Sequence, residues 1–333
     1  MASLPSTMKG VVINKTGGTE VLEYKKDLQV PKPKENQVLV RNSFVGINYI
    51  DTYFRTGLYP APNFPYMLGR DAEGVVVSIP SGTNAHGLKE GDRVVYLSEG
   101  TYAEYTAAPA AKVVKIPEGI PEKVASAALL QGLTALTLIK ETYNVQKGDW
   151  VLVHAAAGGV GLLLCQLLRA VGAKTIATAS TEEKRKLAKE NGAEVTIGYD
   201  EEEVKQTVKQ YTNGEGVKAV FDGVGKATFD LDLDVLARKG TLASFGNASG
   251  AVPPLTIARL SAKNLKVARP TLFNYITTEE EFETYTKQLW DFILKGELNI
   301  KIHEVYPLTE VAKAHTDIEG RKTTGKLLLD PTK

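Results

Sequence analysis

The 333-residue chain is 43% hydrophobic and 24% charged, ordinary proportions for a globular protein with room for two domains and a substantial core. Forty basic side chains against thirty-nine acidic ones leave a formal charge of +1, so the basic surplus that drives binding to nucleic acid through counterion release is missing. One cysteine, Cys165, excludes an intramolecular disulfide and fits a reducing, cytoplasmic compartment.

In chain order, "MASLPSTMKG" has no apolar core behind a basic head, and no secretory signal is expected. Over roughly the first 120 residues, "MKGVVINKTGG", "QVLVRNSFVGIN", "AEGVVVSIP" and "GDRVVYL" cluster Val and Ile between Gly, Pro and Asp, which predicts a largely antiparallel β domain. From Glu122, "EKVASAALLQGLTALTLIKETY" reads as a helix, and strands and helices then alternate. "DWVLVHA" is a buried strand. It is followed by a helix whose Val160, Leu163, Leu164, Leu167, Leu168 and Val171 recur at helical spacing up to a stop at Gly172. Cys165 falls in that apolar repeat, as an inert buried thiol. "AKTIATAS" is the next strand and "TEEKRKLAKENG" a charged helix; "AEVTI", "VKAVFD", "GTLASF" and "LKVAR" are further strands, with helices near 201–212 and 227–238. Repeated β-α-β units imply a doubly wound parallel sheet with helices on both faces. After Pro270 a helix over 278–295 and two β runs are expected to return to the first domain. Residues 151–168 are apolar, but His154, Gln166 and adjacent glycines interrupt them, so no membrane span is predicted.

"HAAAGGVG" (154–161) joins the buried strand to the amphipathic helix. In a dinucleotide fingerprint, glycines at this junction permit a tight turn, close approach of pyrophosphate to backbone amides, and close helix packing. Gly158 and Gly161 take the second and third fingerprint positions and Ala155 the first. His154, just before the turn, reads as a satisfied structural histidine. An NAD site places Asp or Glu about twenty residues on, at the end of the second strand. This chain instead has Ala179, Ser180 and Thr181, with Lys184 a turn later, which suits a 2′-phosphate and predicts NADPH. One cysteine and four scattered histidines cannot build a structural zinc lobe and offer no convincing catalytic zinc set, so no metal is expected. Neither a Gly-x-Ser-x-Gly elbow nor a phosphate-transfer P-loop is present.

"VGINYIDTYFRTGLYP", "GRDAEGVV", "GDRVVY", "HAAAGGVG", "SFGNASG" and "RPTLFNYIT" together resemble the zeta-crystallin-like, zinc-free quinone oxidoreductases of the medium-chain dehydrogenase/reductase superfamily, over about residues 8–330. The resemblance implies a Rossmann domain, set at 127–270, inserted in a GroES-like β-rich catalytic domain made of 1–126 and 271–333. In zinc-dependent relatives the segment matching "LGRDAEG" carries a metal-binding histidine; Arg70 and Asp71 stand there in this chain, and Asn48 lies where a cysteine ligand would be.

The resemblance further implies that Asn48, Tyr49, Ile50, Asp51, Thr52 and Tyr53 approach the nicotinamide end of the cofactor, with Thr137 facing it. Gly158, Gly159 and Val160 would hold the pyrophosphate, and Ser180, Thr181, Lys184 and Tyr199 the adenosine 2′-phosphate. Gly223, Val224, Phe245, Gly246, Asn247, Ala248, Thr271, Leu272, Phe273 and Arg321 would complete the cofactor's surroundings; relatives often carry Ser at Gly223. Tyr53, Tyr59 and Asn48 are the candidates for positioning a flat substrate in a cleft between the domains. The implied activity is an NADPH-dependent quinone reductase, with an enone or enal reductase as the nearest alternative. A homodimer through the edge of the Rossmann sheet is expected. AU-rich RNA binding, with NADPH as competitor, is the alternative of another class; near-neutral charge and the lack of an aromatic–basic motif argue against it as the main role.

Overall fold

β-Branched residues pack well on pleated, half-buried faces, and the Val/Ile runs of the first 120 residues duly form strands. A computed structural model describes residues 4–333. Its first elements are β1 (Thr7–Ile13), β2 (Glu23–Gln29), β3 (Gln37–Ile47), α1 (Tyr49–Thr56), β4 (Tyr66–Met67), β5 (Asp71–Ser78), β6 (Arg93–Leu97), β7 (Tyr105–Pro109) and β8 (Val113–Lys115). Helix α2 (Val124–Thr137) follows, and then β9 (Trp150–Val153), α3 (Gly159–Val171), β10 (Lys174–Thr178), α4 (Glu182–Glu190), β11 (Val195–Ile197), α5 (Glu201–Tyr211), β12 (Val217–Asp222), α6 (Phe229–Val235), β13 (Leu236–Ser244), β14 (Lys266–Ala268), α7 (Leu272–Tyr275) and α8 (Glu279–Leu294). The chain ends with β15 (Ile302–Pro307), α9 (Val311–Glu319) and β16 (Lys326–Asp330).

Two compact units result: the segment up to Leu130 together with Ile300–Lys333, and Gln131–Asn299. In the first unit a sheet has the order β15-β16-β3-β5-β6-β8, with β7 also on β3, and a smaller one the order β2-β1-β4. All pairings are antiparallel except β15 with β16. Its core includes Val11, Val38, Val40, Val45, Tyr96, Tyr306 and Leu329. In the second unit six parallel strands run in the order β11-β10-β9-β12-β13-β14. One core of that unit joins Leu152, Ile176, Val204, Val220 and Leu242.

Two boundaries differ from the sequence expectation. The helix placed at 227–238 stops at Val235, because Leu236 pairs with Val217 and Lys239 takes a left-handed turn (φ 68°) before the main parallel register resumes at Thr241. The chain also rejoins the first unit at Ile300, after α8, where the expectation put the return at 271. Leu289 of α8 packs where a Cβ on Gly132 would stand, the Tyr285 hydroxyl bonds Glu141, and Gln166 bonds Asn299 through both amide atoms. Among the described residues, no helix is long and apolar enough to cross a membrane.

Candidate active site

β9 delivers the chain to a tight turn at the centre of the parallel sheet. Ala155 takes the left-handed conformation (φ 52°) at the first fingerprint position, and Gly158 caps α3, its N–H bonded to the Ala155 carbonyl at 2.9 Å. The first amides of α3, at Gly159, Val160 and Gly161, have no intrahelical carbonyl to bond and point the positive end of a 13-residue helix outward. A Cβ on Gly159 would overlap the Gln131 amide, and one on Gly161 would stand 2.7 Å from Ala156 Cα and closer still to the Ala155 carbonyl. Glycine at 159 and 161 is therefore required by close packing against Gln131 and the Ala155–Ala156 backbone, the tight turn and close helix start that a pyrophosphate seat needs.

Parallel pairing of β9 with β10 sets the next candidates beside this turn. Exposed Ser180 lies two residues beyond the end of β10, and Thr181 caps α4 by accepting the Lys184 N–H at 3.3 Å. Tyr199 belongs to the same cluster: its hydroxyl accepts the Ala155 N–H at 3.1 Å and its ring lies parallel to that of His154. His154 is buried, with Nδ1 2.8 Å from Thr178 Oγ1 and Nε2 2.8 Å from Asp232 Oδ1, which is the satisfied histidine read from the sequence.

The loops leaving β12 and β13 are laced together. Asp222 accepts the N–H groups of Val224 and Gly225, Ala248 donates its N–H to the Gly223 carbonyl, and the Ser249 hydroxyl bonds the Val224 carbonyl. The Phe245 ring lies 3.1 Å from a Cβ built on Gly223, and a Cβ on Gly246 would overlap the Gly223 backbone. Arg269, which sequence reasoning passed over, holds the carbonyls of Ser244 and Gly246 at 2.8 and 3.1 Å, and in the swapped amide orientation Asn247 accepts from it too. Its signal was a lone arginine at a strand end before Pro270. Thr271 is exposed before α7, Leu272 buried and Phe273 exposed. Thr137 is buried and its hydroxyl is bonded to the Leu133 carbonyl at 2.9 Å.

The remaining candidates lie in the first unit, where Asn48 caps α1. Its amide is fully committed in direction: Nδ2 donates to Asp71 Oδ1 at 2.7 Å, and Oδ1 accepts from Lys326 Nζ at 2.7 Å. Lys326 Nζ also lies 3.1 Å from Asp71 Oδ2, so an ammonium, 1% exposed, joins Asn48 to Asp71. Arg70 turns aside to Glu99 and the Tyr66 hydroxyl. Among the described residues no group of three or more His, Cys, Asp or Glu is placed to hold a metal ion.

Asp51 accepts the Asn48 N–H and the Tyr102 hydroxyl, and burial pushes its pKa up to about 6. Thr52 bonds the Tyr49 carbonyl and Ile50 is half-buried. Tyr53 stands between two rings, with Tyr49 at 5.6 Å and Tyr59 at 5.2 Å between centroids, the latter edge-on at 62°. Phe54 continues this aromatic row toward Tyr66, with the Arg70 guanidinium 4.3 Å above its ring. Such edge-to-face rings make a rigid apolar wall with polar tips. Arg321, exposed and left-handed (φ 55°), follows α9. The structure thus gathers the phosphate-end candidates in the second unit and the Asn48–Tyr59 candidates in the first.

Comparison with known proteins agrees with both halves. An alcohol dehydrogenase GroES-like domain matches residues 34–118, and a zinc-binding dehydrogenase domain matches 159–293. A probable quinone oxidoreductase of Schizosaccharomyces pombe is 52% identical over 320 residues, 96% of each chain. Escherichia coli quinone oxidoreductase, solved in complex with NADPH, is 40% identical, superposes with a TM-score of 0.93, and is matched over 97% of this chain and 100% of that one. A 2-haloacrylate reductase of Burkholderia is 35% identical, over 96% of this chain and 98% of its own.

Proposed function

Because the chain belongs to the zeta-crystallin-like quinone oxidoreductases of the medium-chain dehydrogenase/reductase superfamily, we infer that it is an NADPH-dependent quinone reductase and that the residues gathered above carry the reaction. When bound, NADPH supplies the hydride. What the chain contributes is binding, orientation and exclusion of water.

The observation that carries the cofactor reading is the tight glycine turn with unbonded amides at the N-terminus of α3. Gly158, Gly159 and Val160 hold the pyrophosphate there by backbone N–H groups and helix dipole. Ser180, Thr181 and Lys184 meet the 2′-phosphate with two hydroxyls and an ammonium. The Tyr53–Tyr59 pair, packed edge-on, offers an aromatic wall for a planar quinone, and Asn48 with α1 sets the position of that wall. No side chain has to donate the proton that completes the quinol, because water can supply it.

The 2-haloacrylate reductase relative favours a second reading on the same site, reduction of an activated carbon–carbon double bond. NADPH consumption with ortho-quinones, para-quinones and enones side by side separates the two; turnover confined to enones overturns the quinone reading. Lys184→Ala tests the cofactor end. Loss of a charge-assisted phosphate contact worth about 1.5–3 kcal/mol raises the NADPH Kd roughly 10- to 100-fold and leaves that of NADH unchanged. An equal change for both cofactors removes Lys184 from the 2′-phosphate site. A homodimer paired through an edge of the parallel sheet, whose edge strands are β11 and β14, and a cytoplasmic setting complete this reading. Light scattering at working concentration checks the first.

A further inference from the structure

Beneath the glycine turn lies a cluster of ionisable groups that the binding of phosphates does not use directly. His154 is its centre, bonded through its two ring nitrogens to Thr178 at the end of β10 and to Asp232 on α6, with the Tyr199 ring stacked on its face at 6.2 Å. Tyr199 passes this position on to the turn, because its hydroxyl holds the Ala155 N–H. The second oxygen of Asp232, Oδ2, is buried with no hydrogen-bond partner. Asp222, at the end of β12 and itself 0% exposed, lies within hydrogen-bonding reach of Asp232 and turns its own oxygens to the amides of Val224 and Gly225.

Two carboxylates and one imidazole therefore share a dry site. Even with the imidazole charged they carry a net negative charge, and an uncompensated buried charge is costly. Burial raises the Asp232 pKa to about 6. At His154 burial opposes the charged form, but the Asp232 carboxylate outweighs it and the pKa rises. A proton on Asp232 removes the excess charge. An anion seated on the adjacent turn adds to the negative potential and favours that protonated form.

We infer that His154, Asp232 and Asp222 form a proton-holding positioning site under the dinucleotide turn, which takes up a proton when an anionic dinucleotide binds. The inference rests on reading Gly158–Val160 as the pyrophosphate seat. By linkage, a site that binds a proton more tightly in the complex makes dinucleotide affinity fall as pH rises above about 6.

Titration calorimetry of the whole protein with NADPH, in buffers of differing ionisation enthalpy near neutral pH, measures the proton count. Repeating it with NADH removes the titrating 2′-phosphate of the ligand. The expected result is net proton uptake with NADH, abolished in Asp232→Asn, whose NADH Kd no longer changes with pH. Tyr199→Phe is expected to weaken binding while keeping the uptake, since it cuts the link to Ala155 but leaves the acids in place. Zero uptake in the wild-type protein with NADH overturns the inference whether or not the variants fold, as does unchanged uptake in Asp232→Asn. Failure of both dinucleotides to bind the wild-type protein would instead refute the pyrophosphate seat itself.

Discussion

Removing the ammonium of Lys326 is the sharpest test of the buried polar cluster around the Asn48 cap of α1. Nζ, 1% exposed, lies 2.7 Å from Asn48 Oδ1 and 3.1 Å from Asp71 Oδ2. Methionine at 326 keeps the length and apolar stem but leaves the Asp71 carboxylate buried, with only the Asn48 amide at 2.7 Å donating to it from a side chain. Breaking a buried pair by deleting one partner costs about 3–5 kcal/mol, because the surviving charge is stranded away from water. That is a large share of the ~5–15 kcal/mol that holds a folded protein together. Urea unfolding followed by circular dichroism should show Lys326→Met lowering the midpoint by the corresponding amount. Replacing both partners, as in Lys326→Met with Asp71→Leu, should recover only part of the loss: the stranded charge is gone, but the buried Asn48 amide loses both of its side-chain partners. Gly46→Ala is an independent wedge: its Cβ would overlap Asp71 Oδ1 and lie 2.7 Å from Lys326 Nζ. A loss below about 1 kcal/mol for Lys326→Met, the size of an exposed ion pair, would refute the argument.

The glycines of the turn should rank by what an added Cβ meets. Gly161→Ala drives into the backbone of Ala155 and Ala156 and should abolish NADPH binding or folding, Gly159→Ala displaces the Gln131 side chain and should weaken binding, and Gly158→Ala, with only the Ala155 carbonyl at 3.2 Å, should be mildest; fluorescence titration with NADPH gives the order, and equal effects would discard the close packing as its cause. Asp51 is fully buried with a folded-state pKa near 6 against an ordinary 3.8. The native chain therefore holds more protons than the unfolded one between about pH 4 and pH 6, and stability drops as pH rises through that window by up to ~3 kcal/mol. Asp51→Asn should flatten this part of the stability profile in urea titrations, and an unchanged slope would show that Asp51 is not the group responsible.

What could be read from the sequence was what local physics writes within one turn of chain. The strand–glycine–helix junction at 150–171 was legible because tight turn, helix start and apolar period all fall within some twenty residues, and the absence of a carboxylate at 179–181 needs no tertiary structure to be seen. The candidate positions Asn48 and Asp71 were also visible, as departures from a metal-ligand pattern. Lys326 was not: it lies 278 residues beyond Asn48, inside "GKLLLD", which reads as an ordinary strand, and only the antiparallel docking of β16 on β3 brings it inward. Asp232 was hidden for a related reason. "FDLDLDV" looks like a short charged helix on a solvated face, yet Asp230 is exposed while Asp232 is buried against His154. Alternating acids carry no mark of which one turns inward.

These two misses share a physical logic that links the halves of the protein. A binding turn or a helix cap is specified by backbone conformation, which the neighbouring residues dictate. In both units a buried charge from another strand or helix adds to what the neighbouring residues supply. In the first unit Asn48 caps α1 while Lys326 and Asp71 hold its amide; in the second Ala155 makes the turn while Tyr199, His154 and Asp232 hold Ala155. Each arrangement spends a buried polar network, costly unless every member is satisfied, on fixing one short piece of backbone. The orphaned oxygen of Asp232 is the place where that requirement is unmet, and it sits under the turn that has to answer to an anion.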